Sequence, residues 1–377
     1  MRFRKTKLLL LMTLTSFTSM ASSSFVDKVD GMFDMSEYLH DNSYGFLPVP
    51  VVITEPAVGY GAGMFGVFLH GKGSRDGDRF IPPDISVLGG GATQNGSWFV
   101  GGGHRHTWNN DHIRWLGAAG YGNGNVDIYK NNVLGFGRSW EMNTETKGYG
   151  GLQKLMFRLE DSSAFIGVSQ VYVRTDISLS SDSELINRVW KRFFGSESTS
   201  SAFGLVAEYD TTDNLFYPRS GMSLSGEYRM YGNTFGGDYR YNQLTLDGKY
   251  FYPLNDAWTL VVAGNYQAVS SDDFILPPTA RPDINLRGIS RFRYQGDYAS
   301  TVQTQLEWQV TPRWIVQGFV GAGSVASDSQ DLYQSSEVAG GGGFRYLIAR
   351  PYGLYTGIDV GVSGNEQAIY FNVGTGL

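Results

Sequence analysis

Three histidines and one glycine run are the residues whose types and spacing invite a chemical reading. His104 and His106 are two apart, so they share a face of any strand that carries them, and His112 falls just across a predicted hairpin. Alternate-strand histidines can hold zinc, but neither a third ligand nor a hydrogen-bonding shell behind them is evident. A polar position in a lumen or at a rim suits them better, and no metal or cofactor is expected. Gly61-Ala62-Gly63-Met64-Phe65-Gly66 fits the G-x-G-x-x-G spacing that cradles a dinucleotide, without the strand–turn–helix context that motif needs. Glycines at 59, 61 and 63 share one strand face and suit a bending strand or a close neighbour. The chain has no G-x-S-x-G elbow, Walker lysine motif or nucleophile–base spacing, so it does not read as an enzyme.

The elements that would position these residues are written as alternation. In residues 299–310, Ala299, Thr301, Gln303, Gln305, Glu307 and Gln309 fall on one strand face, and Val302, Thr304, Leu306, Trp308 and Val310 on the other. The same pattern sets Ser223, Ser225, Glu227 and Arg229 against Met222, Leu224, Tyr228 and Met230. It also sets Gln243, Thr245, Asp247 and Lys249 against Leu244, Leu246, Tyr250 and Tyr252. A charge facing lipid at mid-depth costs ~2–4 kcal/mol, so the charged faces must line an interior. Each segment has about the length that crosses a bilayer when tilted. Tyr250, Tyr252, Trp258, Trp308 and Trp314 gather near short turns, as an interfacial girdle would.

Composition agrees. The 377 residues include 50 Gly, 23 Tyr, 23 Phe and 8 Trp, and mean hydropathy is −0.22, so a spanning helix is not expected and a barrel is. A net charge of −6 gives no reason to expect nucleic acid. The chain has no Cys, which suits an envelope protein without proving one. Arg2, Arg4, Lys5 and Lys7, the apolar run Leu8 to Met20, and the small residues of Ser19-Met20-Ala21 predict a cleaved signal peptide over 1–21. Residues 22–45 read as a short periplasmic tail, too short for a folded module. Residues 46–377 form the barrel domain.

About sixteen strands are predicted: 57–70, 83–94, 96–108, 111–122, 125–138, 144–160, 163–177, 200–210, 219–232, 239–253, 256–270, 298–310, 313–326, 335–349, 351–362 and 367–377. Tight links at Asn95-Gly96, Asp161-Ser162, Asn255-Asp256, Thr311-Pro312 and Arg350-Pro351 are assigned to one side. The long links 71–82, 178–199, 271–297 and 327–334 are assigned to the other, as short periplasmic turns and long outer loops would be. Within 178–199, Ser181 and Glu184 have capping-box spacing. Leu185, Ile186, Val189, Trp190, Phe193 and Phe194 then form an apolar helical stripe, read either as a lid, as a surface-lying helix or as packing on the rim.

Two loop motifs carry a family resemblance. Leu286-Arg287-Gly288-Ile289 resembles the V-R-G-F/Y tip of the inward-folded sixth outer loop of BamA/TamA-type outer-membrane assembly barrels. The resemblance continues from Arg293 through Gly296-Asp297 to Glu307-Trp308. Tyr209-Asp210-Thr211-Thr212-Asp213-Asn214 with Phe216-Tyr217-Pro218-Arg219-Ser220-Gly221 is similar to the family's periplasmic turn D-x-R-D-N…F-x-P-x-x-G, with Thr212 in place of Arg. Asp210, Asp213, Pro218 and Gly221 are its matching positions. Phe371, Val373, Gly374 and Leu377 lie in a segment similar to the closing strand, although Leu replaces the usual final aromatic.

The resemblance implies that Arg287, with five donors in a rigid fork, anchors the loop to lumenal carboxylates. Glu307 fills one such role. The family's F-x-D-x-G reads Phe319-Val320-Gly321-Ala322-Gly323 here, so the second Asp is missing at Gly321, and Phe319 and Gly323 are left as helpers. The expected fold is all-β, a transmembrane antiparallel barrel of about sixteen strands partly plugged by loop 271–297.

The implied function is insertion or translocation of protein or lipid at the outer membrane, through a weak seam between 57–70 and the Gly-rich 367–377. A passive pore, or a surface antigen without assembly activity, is the alternative. The implied partners are outer-membrane lipid, client outer-membrane or secreted proteins, and a periplasmic protein supplying POTRA modules.

Overall fold

In a computed structural model, residues 25–41, 46–54, 58–71, 74–76, 79–81, 83–130, 140–179, 197–271, 276 and 280–376 are described. One antiparallel sheet of sixteen strands is rolled into a barrel. Its strands are β1 (Phe46–Ile53), β2 (Gly61–His70), β5 (Asp84–Thr93), β6 (Trp98–Trp108), β7 (Ile113–Lys130), β8 (Trp140–Arg158), β9 (Ala164–Leu179) and β10 (Glu197–Asp210). They continue as β11 (Gly221–Tyr231), β12 (Tyr241–Pro253), β13 (Trp258–Ser271), β14 (Tyr298–Gln309), β15 (Trp314–Ala326), β16 (Glu337–Ala349), β17 (Leu354–Ser363) and β18 (Glu366–Val373). A small hairpin, β3 (Ser74–Asp76) with β4 (Arg79–Ile81), lies between β2 and β5, and a single helical turn, α1 (Ser36–Asp41), precedes β1. No helix among the described residues is long and apolar enough to cross a membrane.

Alternation places the faces as expected. Val302, Leu306 and Trp308 look outward, whereas Ala299, Gln305 and Glu307 on the same strand are almost wholly enclosed. Trp258 stacks on Trp308 with ring centroids 5.6 Å apart, and Tyr250 on Tyr252 at 6.1 Å, so the aromatic girdle stands where the short turns are. Inside, Glu227 accepts hydrogen bonds from Arg229, and Lys154 meets Glu208 at 3.3 Å.

The strand count agrees with the sequence reading, yet two of its strands are corrected. The first strand is 46–53, which Pro48 and Pro50 disguise. Proline cannot donate to a ladder and is tolerated at a sheet edge, and β1 is an edge that pairs with β2 alone. Segments 111–122 and 125–138 belong to one strand through 130: Gly122-Asn123-Gly124-Asn125 is no turn but stays in register with β8. A Cβ at Gly122 would sit 2.7 Å from the Trp98 carbonyl oxygen, so that glycine permits close strand approach.

The two errors cancel in number and move two links. The link 71–83 lies on the rim of the short turns, and Asn95-Gly96 lies on the opposite rim. The glycines of the closing segment are also displaced: β18 contains none, and Gly374 and Gly376 follow it at φ +88° and +77°. The signal peptide over 1–21, the capping-box segment 181–195 and Leu377 lie outside the described residues. The polar tail is docked rather than loose, with residues 25–41 lying against the turn rim.

Candidate functional site: the loop tip and the barrel seam

The loop after β13 enters the lumen and turns back at Arg287-Gly288. The Ile289 amide donates to the Leu286 carbonyl at 3.0 Å, and Gly288 adopts φ +106°. A Cβ there would lie 2.6 Å from the Val362 backbone nitrogen, so conformation and space both demand glycine. Gly361 on β17 answers it, since a Cβ at that position would stand 2.7 Å from the Arg287 carbonyl carbon. Ile284, Leu286 and Ile289 are buried with Ala339, and Gly323 makes room for Ile284. Glycines on the wall and apolar residues on the loop thus bring two backbones together.

Arg287 sits 3.5 Å above the Phe319 ring centroid and donates to Gln305 Oε1 at 2.7 Å and to Asp359 Oδ2 at 2.6 Å. Glu307 is not its direct partner, which corrects the pairing implied by resemblance. Glu307 instead accepts from Gln305 Nε2 at 2.7 Å, so the two charges communicate through an amide. The carboxylate missing at Gly321 is supplied from two strands further round, by Asp359 on β17.

Asp359 is fully enclosed and also accepts two hydrogen bonds from Arg345, at 2.8 Å each, one from Gln317 and one from Asn372. Arg345, equally enclosed, donates onward to the carbonyls of Gly374 (3.0 Å) and Thr375 (2.8 Å). Two guanidinium groups against Asp359 and Glu307 leave the cluster formally neutral, which makes its burial tolerable.

The loop also grips the last strand. The Gly288 amide donates to the Tyr370 hydroxyl at 2.9 Å; the Ser290 amide and hydroxyl both reach Glu366 at 3.1 Å; Arg293 pairs with Glu366. Tyr370 and Glu366 face the lumen from β18, while Phe371 and Val373 face outward. Asp359, Arg345, Gln305, Gln317, Tyr370 and Glu366 escaped sequence reasoning. Asp359 could have been found, because Ile358-Asp359-Val360 puts a lone carboxylate on a lumenal position between two outward apolar residues.

The turn between β10 and β11 is held by its own side chains. Asp210 accepts from the Thr212 amide at 3.0 Å, Asp213 from the Arg219 amide at 2.9 Å, and Asn214 from the amides of Phe216 and Tyr217 at 2.7 and 2.9 Å. Gly221, at φ +99°, lies so close to Thr211 that a Cβ would fall 2.2 Å from its carbonyl oxygen. Pro218 precedes Arg219, which donates to the Gln309 side chain at the end of β14 at 2.5 Å and to the Asp256 carbonyl in the β12–β13 turn at 2.8 Å. Tyr217 packs with Ile315, Leu347 and Tyr355 across the barrel's end.

The sheet order runs from β1 to β18, and among the described residues no ladder joins its ends, although the two approach one another. The hydroxyl of Thr54, just past β1, bonds to the Ile369 carbonyl and accepts from the Ile369 amide at 3.0 Å. Alternate residues aim their backbone groups at the same neighbour, so Pro48 and Pro50 remove two donors from one edge. The β1–β2 ladder keeps its bonds only if that edge faces β18. Along β6 to β9 lies a cavity of about 540 Å³ whose lining includes Phe99, Val173, Ile177 and Phe292, with Ile53 at the end of β1 on its border.

The Omp85 superfamily domain matches residues 108–281. Among solved structures, BamA from Haemophilus ducreyi lacking POTRA domains 1-3 is 13% identical with TM-score 0.55, over 88% of this chain and 69% of that one. CdiB from Escherichia coli is 12% identical with TM-score 0.58, over 86% and 61%. CdiB from Acinetobacter baumannii is 12% identical with TM-score 0.54, over 87% and 59%. The chain therefore spans less than two thirds of either CdiB, and at these identities the likeness is one of fold. No curated protein sequence matches.

Proposed function

We infer that this chain, a barrel with an Omp85 superfamily domain, resides in the outer membrane and acts there in insertion or translocation by opening the seam between β1 and β18. The observation that carries this is the missing ladder between the sheet's ends. An unpaired strand edge is a template for another strand, and most barrels abolish it. Here one edge carries Pro48 and Pro50, which keeps the wall from zipping shut. The other edge, β18, keeps its backbone groups available for pairing with a client strand, by strand addition.

The loop tip has a matching task. It fastens β18 to β14, β15 and β17 from inside, so that one lip of the seam stays rigid while β1 swings away. The apolar cavity along β6 to β9, which Ile53 of β1 borders, offers the inward-facing side chains of an entering hairpin an apolar surface. The client class is a polypeptide with an amphipathic β-segment, and the rim of short turns faces the periplasm. Cleavage of the first 21 residues on export belongs to the same reading.

The test is a reversible lock. Cysteines at Thr54 and Ile369, whose side chain and backbone already touch, introduce the only thiols in the chain. In proteoliposomes, oxidation abolishes insertion of a radiolabelled client barrel and reduction restores it. Undiminished insertion with the lock closed would refute lateral opening.

A further inference from the structure

Before β1 the chain lies along the turn rim and carries a spaced acidic set, Asp27, Asp30 and Asp34. Each carboxylate folds the backbone that follows it, accepting the amide of Val29 (2.7 Å), Met32 (3.0 Å) and Ser36 (2.6 Å) respectively. In each, the other oxygen is free to point outward, and all three converge on Arg313. Its Nη1 donates to Asp34 at 2.5 Å and its Nε to Asp30 at 2.7 Å; its Nη2 pairs with Asp27. Arg350 donates to Asp27 at 2.9 Å and to Asp30 at 2.7 Å.

The Arg313 side chain is only 3% exposed, so a rim arginine has been taken almost wholly out of water by three carboxylates. Backbone bonds seat the segment further: the Met35 amide donates to the Ile348 carbonyl at 2.6 Å, and the Tyr346 hydroxyl to the Phe33 carbonyl at 2.7 Å. Phe25 stacks on Phe33 and Tyr38.

Position gives this cluster its meaning. Arg313 belongs to the turn between β14 and β15, and Arg350 to the turn between β16 and β17. Met35 and Tyr38 pack on a buried group formed by Leu47 of β1 with Ile348, Ala349 and Leu354. The segment therefore leads into β1 and is clamped to turns on the far side of β18, so it straddles the seam at one rim. Nothing in closing a barrel requires this.

We propose that Arg313 and Arg350 form a binding site for an acidic peptide of Asp-x2-Asp-x3-Asp spacing, and that residues 25–41 occupy it as a latch that holds the seam shut. An acidic segment of the same spacing on a periplasmic partner fits the cradle once the latch leaves. The latch role rests on the lateral-opening reading; recognition of the peptide does not.

The test uses the full chain in nanodiscs, spin-labelled at Lys28→Cys, an exposed position in a protein without other thiols. In Asp27→Asn/Asp30→Asn/Asp34→Asn the label becomes mobile, and a synthetic 25–41 peptide added to that variant binds about tenfold or more tightly than its triple-Asn counterpart. Should the triple variant fail to fold, Arg350→Asp, at a half-exposed position, releases the label by itself. A label equally immobile in the substituted proteins, or peptides that bind alike, overturns the site. Seam status is read separately, as the rate of disulfide formation between Thr54→Cys and Ile369→Cys, which falls several-fold when the latch is released. An unchanged rate removes the latch role, whereas failure of the lock to stop client insertion removes the lateral-opening reading and leaves peptide recognition standing.

Discussion

Replacing Asp359 by Asn keeps the shape of the side chain and deletes the charge on which the loop tip converges. Wild-type Asp359 takes two hydrogen bonds from Arg345, one from Arg287, one from Gln317 and one from Asn372, with no exposure to solvent. In Asp359→Asn, two enclosed guanidinium groups face one remaining carboxylate, Glu307, which reaches Arg287 only through Gln305. Removing one partner of a buried ion pair costs about 3–5 kcal/mol. The expected loss sits at the lower end, about 3 kcal/mol, because Arg345 keeps the carbonyls of Gly374 and Thr375 and Arg287 keeps Gln305 and the Phe319 ring.

The assay is urea unfolding of the refolded barrel in detergent or lipid, followed by heat-modifiable gel migration. The informative comparison is Asp359→Asn/Arg287→Met, in which the orphaned cation is removed as well. The double variant should be less destabilised than the sum of the two singles, by 1 kcal/mol or more, since the residues share one network. A loss under about 1 kcal/mol for Asp359→Asn, or strict additivity, would show that the cluster does not hold the loop.

Gly288→Ala forces an L side chain into φ +106° and against Val362, so it costs about 2 kcal/mol or more and loosens the loop tip; protease sensitivity of the 284–292 segment reads this, and resistance equal to wild type would contradict it. Pro48→Thr/Pro50→Thr restores two donors to the seam edge and should lower client insertion several-fold while raising stability in urea; unchanged insertion would show that the prolines do not keep the seam open. The latch depends on pH in one direction. The Val29 amide, followed by Arg350 and Arg313, holds Asp27 below the ordinary carboxylate range, and the hydrogen bond from Arg313 does the same for Asp30. Groups with lowered values contribute fully above their unperturbed range of about 4 and lose that contribution as pH falls through the lowered values. A label at Lys28→Cys should therefore stay immobile from pH 8 to 5 and become mobile only below about 4; release near pH 6 would assign the docking to other groups.

The barrel was legible because its physics is periodic. One wet and one apolar face per strand, aromatic side chains at the turns and a glycine-rich wall all appear in a single sequence. What stayed hidden depended on exceptions to that period. Pro48 and Pro50 break the pattern of β1 because that strand is an edge, and Gly122 and Gly124 imitate a turn although both stay in the β7–β8 ladder, Gly122 because a neighbouring backbone comes close there. The loop tip was legible as Leu286-Arg287-Gly288-Ile289, but its acceptor was not, since Asp359 is brought near Arg287 by barrel closure and not by any local spacing. Asp27, Asp30 and Asp34 read as a polar tail for the same reason: Arg313 lies far along the chain, and only the curvature of the rolled sheet returns it to these residues.

Amide hydrogen exchange on β1 and β18, set against the central pair β12 and β13, tests the seam most directly. With no ladder between the ends of the sheet, the amides of β18 that face β1 exchange orders of magnitude faster than those of β12, and Ile369, bonded to Thr54, is slower than its neighbours. Protection along β18 equal to that of β12 would mean a continuous, closed wall and would contradict the lateral-opening account.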